Sequence, residues 1–437
     1  MTRRHFALLL PLLALYFGLM LLVPPHEDDE TSYITLAKRI THGYYVTGDN
    51  RALLDANPSS PDLWFGPGLP IILTPLVALD SPNWALRSTG PVLLFLAVLL
   101  FYALLRIRAG PRTALAGAYA LGLYVPFSTL LPNVHSETLA IFLLVATLYG
   151  VARYVIERRL RWFAFTAVAL AWLALTRVAF GWVITIVLVL LLAWWVIRRR
   201  SLAGRLALVY AAALLLCVPW LSYTYSKTHR IFVWGNSGSL SLYWMSSPYS
   251  GDLGDWHQAN QVFTDPRLRA HRSFFRRLEG LTLAQQNAKI ERQALRNIAH
   301  HPAKYAENVA ANVSRMLFNT PYSFTGKSPK ILLYGIPNVL LLAAVAFSIA
   351  VFARRRELLP PEAAPFLLLG AVAVALHALL SAYPRMLMPE VPIVLWFTAL
   401  AAEMTGLIGG ASPRDGIEPG RRVDPNQSRP SPVGARP

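Results

Sequence analysis

Phe6-Ala-Leu-Leu-Leu-Pro-Leu-Leu-Ala-Leu-Tyr-Phe-Gly-Leu-Met-Leu-Leu-Val23, closed by Pro24-Pro25, runs straight into His26-Glu27-Asp28-Asp29-Glu30-Thr31-Ser32-Tyr33. An apolar run of about eighteen residues matches the hydrocarbon thickness of a bilayer. The four consecutive acids then stand where such a helix reaches the interface. Carboxylates are costly inside the hydrocarbon, so they must sit in water or in a lined cavity. They are either the solvated cap of a membrane helix or a catalytic or ion-binding site at the membrane surface.

The rest of the chain supports the membrane reading. Of 437 residues, 55% are hydrophobic and only 15% charged, whereas a soluble domain carries about a quarter charged residues. The single cysteine, Cys217, lies in an apolar run, so there is no disulfide framework and no cysteine metal motif. The net charge of +18 does not require nucleic acid, because arginine in short loops between membrane helices is the expected orientation signal. The first helix has no small-x-small cleavage site before Pro24-Pro25 and is expected to be retained rather than removed as a leader.

Arginine clusters divide the chain into about ten spans, an all-α polytopic membrane protein. The expected helices cover about 6–23, 85–105, 113–131, a fourth from Ser136 to Glu157, then about 162–176, 178–197, 206–224, 331–352, 364–381 and 389–408. Arg106, Arg108 and Arg112, Glu157-Arg158-Arg159, Arg198-Arg199-Arg200 and Arg354-Arg355-Arg356 fall in alternate loops, which places those loops in the cytoplasm. The helices divide into an N-terminal bundle, 1–224, with an outer loop at 24–84, and a C-terminal group, 331–408. Between them lies an extracytoplasmic loop, 225–330. The tail, 409–437, is rich in Pro, Arg, Gly and Ser and is expected to be disordered.

In the first outer loop, Tyr33, Ile34, Leu36, Ala37 and Ile40 have the period of a helix lying along the interface, with Gly43 as its stop. Pro58 to Pro61 reads as a turn. Trp64-Phe65-Gly66-Pro67-Gly68-Leu69-Pro70 leads into a second short helix from Ile71 to Leu79. The second long loop opens with a Gly/Ser/aromatic stretch, Trp234 to Trp256, of little helical period. From Leu278 to Phe318 it reads as helices interrupted at His300-His301-Pro302. Between Lys227 and Lys330 it carries nine Arg and five Lys against three Asp and three Glu. That basic surface suits anionic headgroups or an anionic acceptor, or is an ordinary solvated face.

Three groups could carry chemistry. Asp29, Glu30 and Tyr33 come first, with Asp29 and Tyr33 one helical turn apart. A carboxylate at a low-dielectric boundary can serve as a general base or hold a divalent cation; equally, it can complement a helix N-terminus. His135-Ser136-Glu137 comes second, at the outer end of the fourth helix, where Ser136 and Glu137 also fit a cap and first-turn acid. Arg177 and Arg385 come third. Both lie at outer helix ends, where the orientation rule does not ask for arginine, and guanidinium is suited to phosphate through paired charge-assisted hydrogen bonds. Tyr383-Pro384 and Pro389 bracket Arg385 and break the helix there, freeing backbone to line a cavity. The helix cores carry almost no charge, which argues against a transporter with a mid-membrane site.

Asp29-Glu30-Thr31-Ser32-Tyr33 after the first helix, Gly43-Tyr44-Tyr45, Gly66-Pro67-Gly68-Leu69-Pro70, Ser136-Glu137, Leu175-Thr176-Arg177 and Tyr383-Pro384-Arg385-x-x-x-Pro389 occur in that order. In this set the chain, over about residues 1–400, resembles the GT-C superfamily of membrane glycosyltransferases. It is most similar to the protein O-mannosyltransferase and lipid A aminoarabinose transferase branch. The resemblance implies inverting transfer of a sugar from a polyprenyl-phosphate donor to an extracytoplasmic lipid, glycan or protein at the cytoplasmic (inner) membrane. It implies Asp29 as base or as organiser of the site, with Glu30 and Glu137 binding sugar hydroxyls or a metal, or sharing the acid work. It further implies Tyr33, Glu137, Arg177, Tyr383 and Arg385 as substrate-binding residues, Arg385 and Arg177 holding the departing phosphate. Relatives differ in metal use, so a divalent metal at Asp29 and Glu137 stays open. The soluble domain that some relatives append after the last helix is expected to be missing, leaving acceptor recognition to loop 225–330. The alternatives are a transporter or flippase of lipid-linked precursors, which also needs phosphate-binding arginines, and a non-catalytic anchoring protein. No nucleic-acid partner is expected. The arginine-over-lysine bias and alanine-rich helices look bacterial.

Overall fold

The computed structural model describes residues 3–25, 29–46, 63–325 and 330–408. Among them every regular element is helical. His26, Glu27, Asp28, the turn at Pro58 to Pro61 and the tail lie outside the described residues.

Six helices are long and apolar enough to cross a membrane: Arg3–Leu22, Asn83–Leu105, Ser136–Glu157, Val178–Arg198, Ile331–Arg354 and Pro384–Thr405. The chain is a multi-pass membrane protein, but a count of ten is not what these helices supply. The seventh expected span is the pair Ser201–Leu216 and Val218–Thr228, bent by 47° at Cys217. Pro219 sits at the start of the second half, where its missing N–H interrupts the helical ladder. The fifth and ninth are short apolar helices, Leu160–Thr176 and Ala363–Leu379. The third is not one helix to 131. Pro111–Gly122 is followed by a 3-10 turn, Val125–Leu130, because Pro126 removes a donor and disfavours helical backbone at Val125.

The Ser136 helix is the centre of the bundle, packed between Asn83–Leu105 and Leu160–Thr176. Most of its residues are buried, Leu139, Ile141, Leu144 and Leu148 among them. The Val391–Thr405 helix lies against Pro111–Gly122 and Ile331–Arg354, and Ala363–Leu379 lies against Val178–Arg198. The arginine-rich loops gather at one end: Arg108 pairs with Glu362, Gly110 N–H donates to Glu403, and Arg355 donates to the carbonyl of Met404. The acidic stretch and the ends bearing Glu137, Arg177 and Arg385 come to the opposite end.

At that end Glu30–Thr41 forms the expected helix, stopped where Gly43 takes φ +82°. It packs against the second loop helix, Gly68–Ala78. The long loop has its own aromatic core, including Tyr243, Trp244 and Phe275. Helices Leu283–His300 and Pro302–Phe318 meet at the expected break, the first opened by a Thr282/Gln285 capping box. The stretch 234–256, of little helical period, contains a short helix, Gly238–Met245. Burial of Leu240, Tyr243 and Trp244 in the aromatic core outweighs its weak helical pattern.

Candidate active site

Asp29 stands at the entrance to the Glu30–Thr41 helix, and the Tyr33 N–H donates to its carbonyl at 3.1 Å. This fixes the Asp29 side chain one turn below the Tyr33 phenol, as the spacing predicts. Arg385 reaches Asp29 from the other end of the sequence, Nη1 to Oδ2 at 2.8 Å. Arg177 donates from Nη1 to Glu137 Oε1 at 2.7 Å, and Arg385 Nε lies 3.6 Å from the same oxygen. Glu137 is 1% exposed, so it is the buried counter-ion behind both guanidinium groups. Tyr33 OH donates to Ser136 Oγ at 2.8 Å, tying the acidic stretch to the head of the Ser136 helix. Burial, reinforced by Asp29 and Glu137, raises the Tyr33 phenol pKa, keeping the proton for that bond.

Local structure explains why these groups meet. Arg177 is the single extended residue (φ −124°, ψ 102°) between two helices, Leu160–Thr176 and Val178–Arg198. Its side chain therefore leaves the bundle at a corner, facing the Ser136 helix. Gly66-Pro67-Gly68 packs directly on that corner. A Cβ at Gly66 would overlap the carbonyl of Leu175, and one at Gly68 would come within 2.7 Å of the Thr176 nitrogen. Two short motifs distant in sequence are thus one contact. Pro384 and Pro389 end regular helix on either side of Arg385, leaving short 3-10 turns, Pro384–Met386 and Met388–Glu390.

These residues open onto a cavity of about 290 Å³. Asp29, Tyr33, Arg177, Tyr383 and Arg385 line it, together with Trp64, Trp182, Trp234 and Trp256. Tyr383 donates to the carbonyl of Trp256 at 3.1 Å and stacks on Tyr322, joining the long loop to the bundle. Behind it, Arg315 is fully buried and donates to the carbonyls of Ala382 and Pro321. Asn312 donates to His377, Ala378 and Leu380 and accepts from the Ala382 N–H, so the strand of chain leading to Arg385 is held along its length.

Glu30 is brought to the same end but faces elsewhere. It forms a two-pronged pair with Arg87, at 2.7 and 3.0 Å, and accepts from the Val134 N–H at 2.9 Å. Its carboxylate braces the acidic stretch to neighbouring loops, outside the residues that line the cavity. Arg87 was legible by the signal that marks Arg177 and Arg385, an arginine at an outer helix end. The tryptophan walls had no comparable signal, since aromatics are common in any membrane chain. As for a metal, Asp29 and Glu137 each pair with arginine, and among the described residues no group of three His, Cys, Asp or Glu is arranged to hold one.

The ion pairs also set a stability expectation. Replacing Arg177 by alanine leaves the buried Glu137 with only the longer contact to Arg385, and breaking a buried pair costs up to about 3–5 kcal/mol. The variant should show a clearly lowered thermal midpoint in detergent, whereas Arg177→Ala combined with Glu137→Gln should recover much of it.

Residues 66–223 match the family model of dolichyl-phosphate-mannose-protein mannosyltransferase. No curated protein matches the chain in sequence. Among solved structures, the archaeal oligosaccharyltransferase AglB from Archaeoglobus fulgidus, in complex with an inhibitory peptide and a dolichol-phosphate, aligns at a TM-score of 0.52 and 15% identity. The alignment covers 95% of this chain and 53% of that one. The apo form of the A. fulgidus enzyme gives 0.53 at 16% identity, over 92% of this chain and 51% of that one. ArnT from Cupriavidus metallidurans, bound to undecaprenyl phosphate, is less alike, with a TM-score of 0.43 at 16% identity, over 92% of this chain and 77% of that one. The chain thus spans about half the length of the oligosaccharyltransferase whose fold it shares. The chain shares the fold of that oligosaccharyltransferase, and about a third of it, residues 66–223, is similar to the protein-mannosyltransferase family.

Proposed function

We propose that the protein transfers a sugar, with inversion, from a polyprenyl-phosphate donor to an acceptor on the extracytoplasmic face of the cytoplasmic membrane. The observation that carries this reading is the convergence of Asp29, Arg177 and Arg385 at one cavity from three distant parts of the chain, with Glu137 buried behind the two arginines. The AglB structure holds a dolichol-phosphate, which supports a lipid-phosphate donor here. The arginine-rich loops at the opposite end support an extracytoplasmic site by the positive-inside rule.

In this reading the acceptor hydroxyl attacks the anomeric carbon of the donor while the carbon–oxygen bond to phosphate breaks. Asp29 takes the hydroxyl proton, and the departing polyprenyl phosphate keeps the bonding electron pair. Arg385 stabilises that growing charge. Its pairing with Asp29 makes the two roles interdependent: a phosphate drawing on Arg385 frees the Asp29 carboxylate to act as base. Glu137 orients both arginines rather than touching the sugar, and Arg177 supports the same anion. Tyr33 and Tyr383 shape the walls. Glu30 acts at one remove, by holding the loop that carries Asp29.

The deciding experiment supplies purified protein with a polyprenyl-phosphate hexose and a membrane extract as acceptor. Release of polyprenyl phosphate that depends on acceptor supports the transferase. Movement of intact donor across a vesicle membrane without bond cleavage would replace this reading with a flippase.

A further inference from the structure

A second cavity, of about 420 Å³, adjoins the one lined by Asp29, and Trp182, Trp234, Gly235, Gly238, Leu376 and Leu380 line both. Its own lining is of two kinds. Trp182, Leu376 and Leu380 come from the ends of the apolar helices Val178–Arg198 and Ala363–Leu379. Lys227, Arg230 and Glu291 come from the last turn of Val218–Thr228, the turn after it and the loop helix Leu283–His300. The connecting turn is pinned by its surroundings. His229 and Phe232 take positive φ, 52° and 64°, a backbone that residues with a Cβ adopt only where the surroundings dictate it. Phe232 makes edge-on contacts with the rings of both Trp182 and Trp234, at 5.3 and 5.6 Å. A Cβ at Gly181 would overlap the Trp234 ring, so that indole is seated on the helix that follows Arg177. These contacts fix the shared wall and, with it, the backbone of Arg230 and Ile231. Lys227 lies over the Tyr223 ring at 5.6 Å, and among the described residues no carboxylate pairs with it. Arg230 meets Glu291 at 3.1 Å, but the two are 50% and 42% exposed, and an exposed pair is weak enough to yield to another anion. Ile231 lines the same cavity and is 85% exposed.

We propose that this second cavity receives the acceptor, and that the acceptor is a membrane lipid with an anionic headgroup. The inference rests on the transferase reading above and names the substrate class that reading leaves open. An amphiphile of this kind needs apolar walls for its chains and cations beside its headgroup, and this lining supplies both. The polyprenyl tail of the donor would use the apolar walls but carries no charge for Lys227 and Arg230, and its phosphate is served by Arg385 and Arg177. A water-soluble glycan or peptide would gain nothing from Ile231 and the apolar helix ends. A hydroxyl on the seated headgroup is then the nucleophile. Its oxygen bonds to the anomeric carbon, its proton passes to Asp29, and polyprenyl phosphate leaves with the electron pair of the broken carbon–oxygen bond.

The test places the full-length protein in phosphatidylcholine nanodiscs with traces of diazirine-labelled phosphatidylglycerol or diazirine-labelled phosphatidylcholine, and maps the crosslinked peptides. Phosphatidylglycerol should label the segment 227–236 and the end of the Ala363–Leu379 helix several-fold more than phosphatidylcholine does. Saturating polyprenyl phosphate should leave that labelling in place. Lys227→Gln and Arg230→Gln should each cut it by about 3–6-fold, the loss of one cation beside an anionic headgroup. Polyprenyl phosphate binding and the thermal midpoint should hold in both variants, and Lys227→Arg should keep the labelling. In transfer assays a lipid extract should support release of polyprenyl phosphate, and the double glutamine variant should raise KM for that extract with kcat held. Equal labelling by the two lipids overturns the proposal. Displacement by polyprenyl phosphate overturns it by giving the cavity to the donor tail. Release supported only by delipidated protein or by water-soluble glycans overturns it while the transferase reading stands. So does a joint loss of labelling and polyprenyl phosphate binding with a lowered midpoint, which marks a structural role. If phosphatidylglycerol labels the cavity but no acceptor fraction releases polyprenyl phosphate, the transferase reading fails and the acceptor role falls with it.

Discussion

Asp29→Asn is expected to lower the transfer rate by about 10²–10⁴-fold, the usual contribution of a positioned general base. Expression, detergent stability and binding of polyprenyl phosphate should survive, because the residue is about a quarter exposed and an amide oxygen can still accept from Arg385. The measurement is single-turnover release of polyprenyl phosphate in the presence of acceptor. Losing the proton acceptor removes the path for the hydroxyl proton without disturbing the Glu137–Arg177 pair behind it. A variant that turns over at the wild-type rate would remove Asp29 from the role of base.

Arg385→Ala should act on the other half of the reaction. Removing a preorganised donor from a developing anion costs about 10²–10³-fold in rate, and the weakening should show in donor binding as well. Arg385→Lys should recover only part, because an ammonium cannot span Asp29 and a phosphate with one planar fork. Stability should fall less than in Arg177→Ala: Arg385 lies 3.6 Å from Glu137, whereas Arg177 holds it at 2.7 Å. Donor dependence unchanged from wild type would take the phosphate role away from Arg385. The contrast between the two arginines, one felt mainly in turnover and one mainly in folding, is a sharper check than either alone.

Individual residues explain what could be read in advance. Arg177 and Arg385 stand out because orientation pressure asks for arginine at the other helix ends, so their charge calls for a local partner. Asp29 and Tyr33 are related by a single helical turn, a purely local constraint that the structure keeps. Glu30 misleads for the same reason. Adjacent acids look alike in sequence, yet successive helical positions point about 100° apart. Asp29 faces Arg385, while Glu30 faces Arg87. The span at 113–131 misleads differently. Its composition is mostly apolar, and the backbone restriction at Pro126 turns the last third into a tight 3-10 turn.

The alternation of apolar runs and arginine clusters determines, from sequence alone, that the chain threads a membrane and which helix ends share a side. Burial of apolar length and the exclusion of charge from hydrocarbon are properties of each segment by itself. The pairing of Asp29 with Arg385, the shared grip of Arg177 and Arg385 on Glu137, and the seating of Gly66 and Gly68 on Leu175 and Thr176 belong to the tertiary structure. Each of these contacts joins segments from tens to hundreds of residues apart, and a chain's local preferences carry no record of which helix end will meet which. Packing around the Ser136 helix decides that, and with it turns an acidic stretch beside a membrane helix into one wall of the cavity.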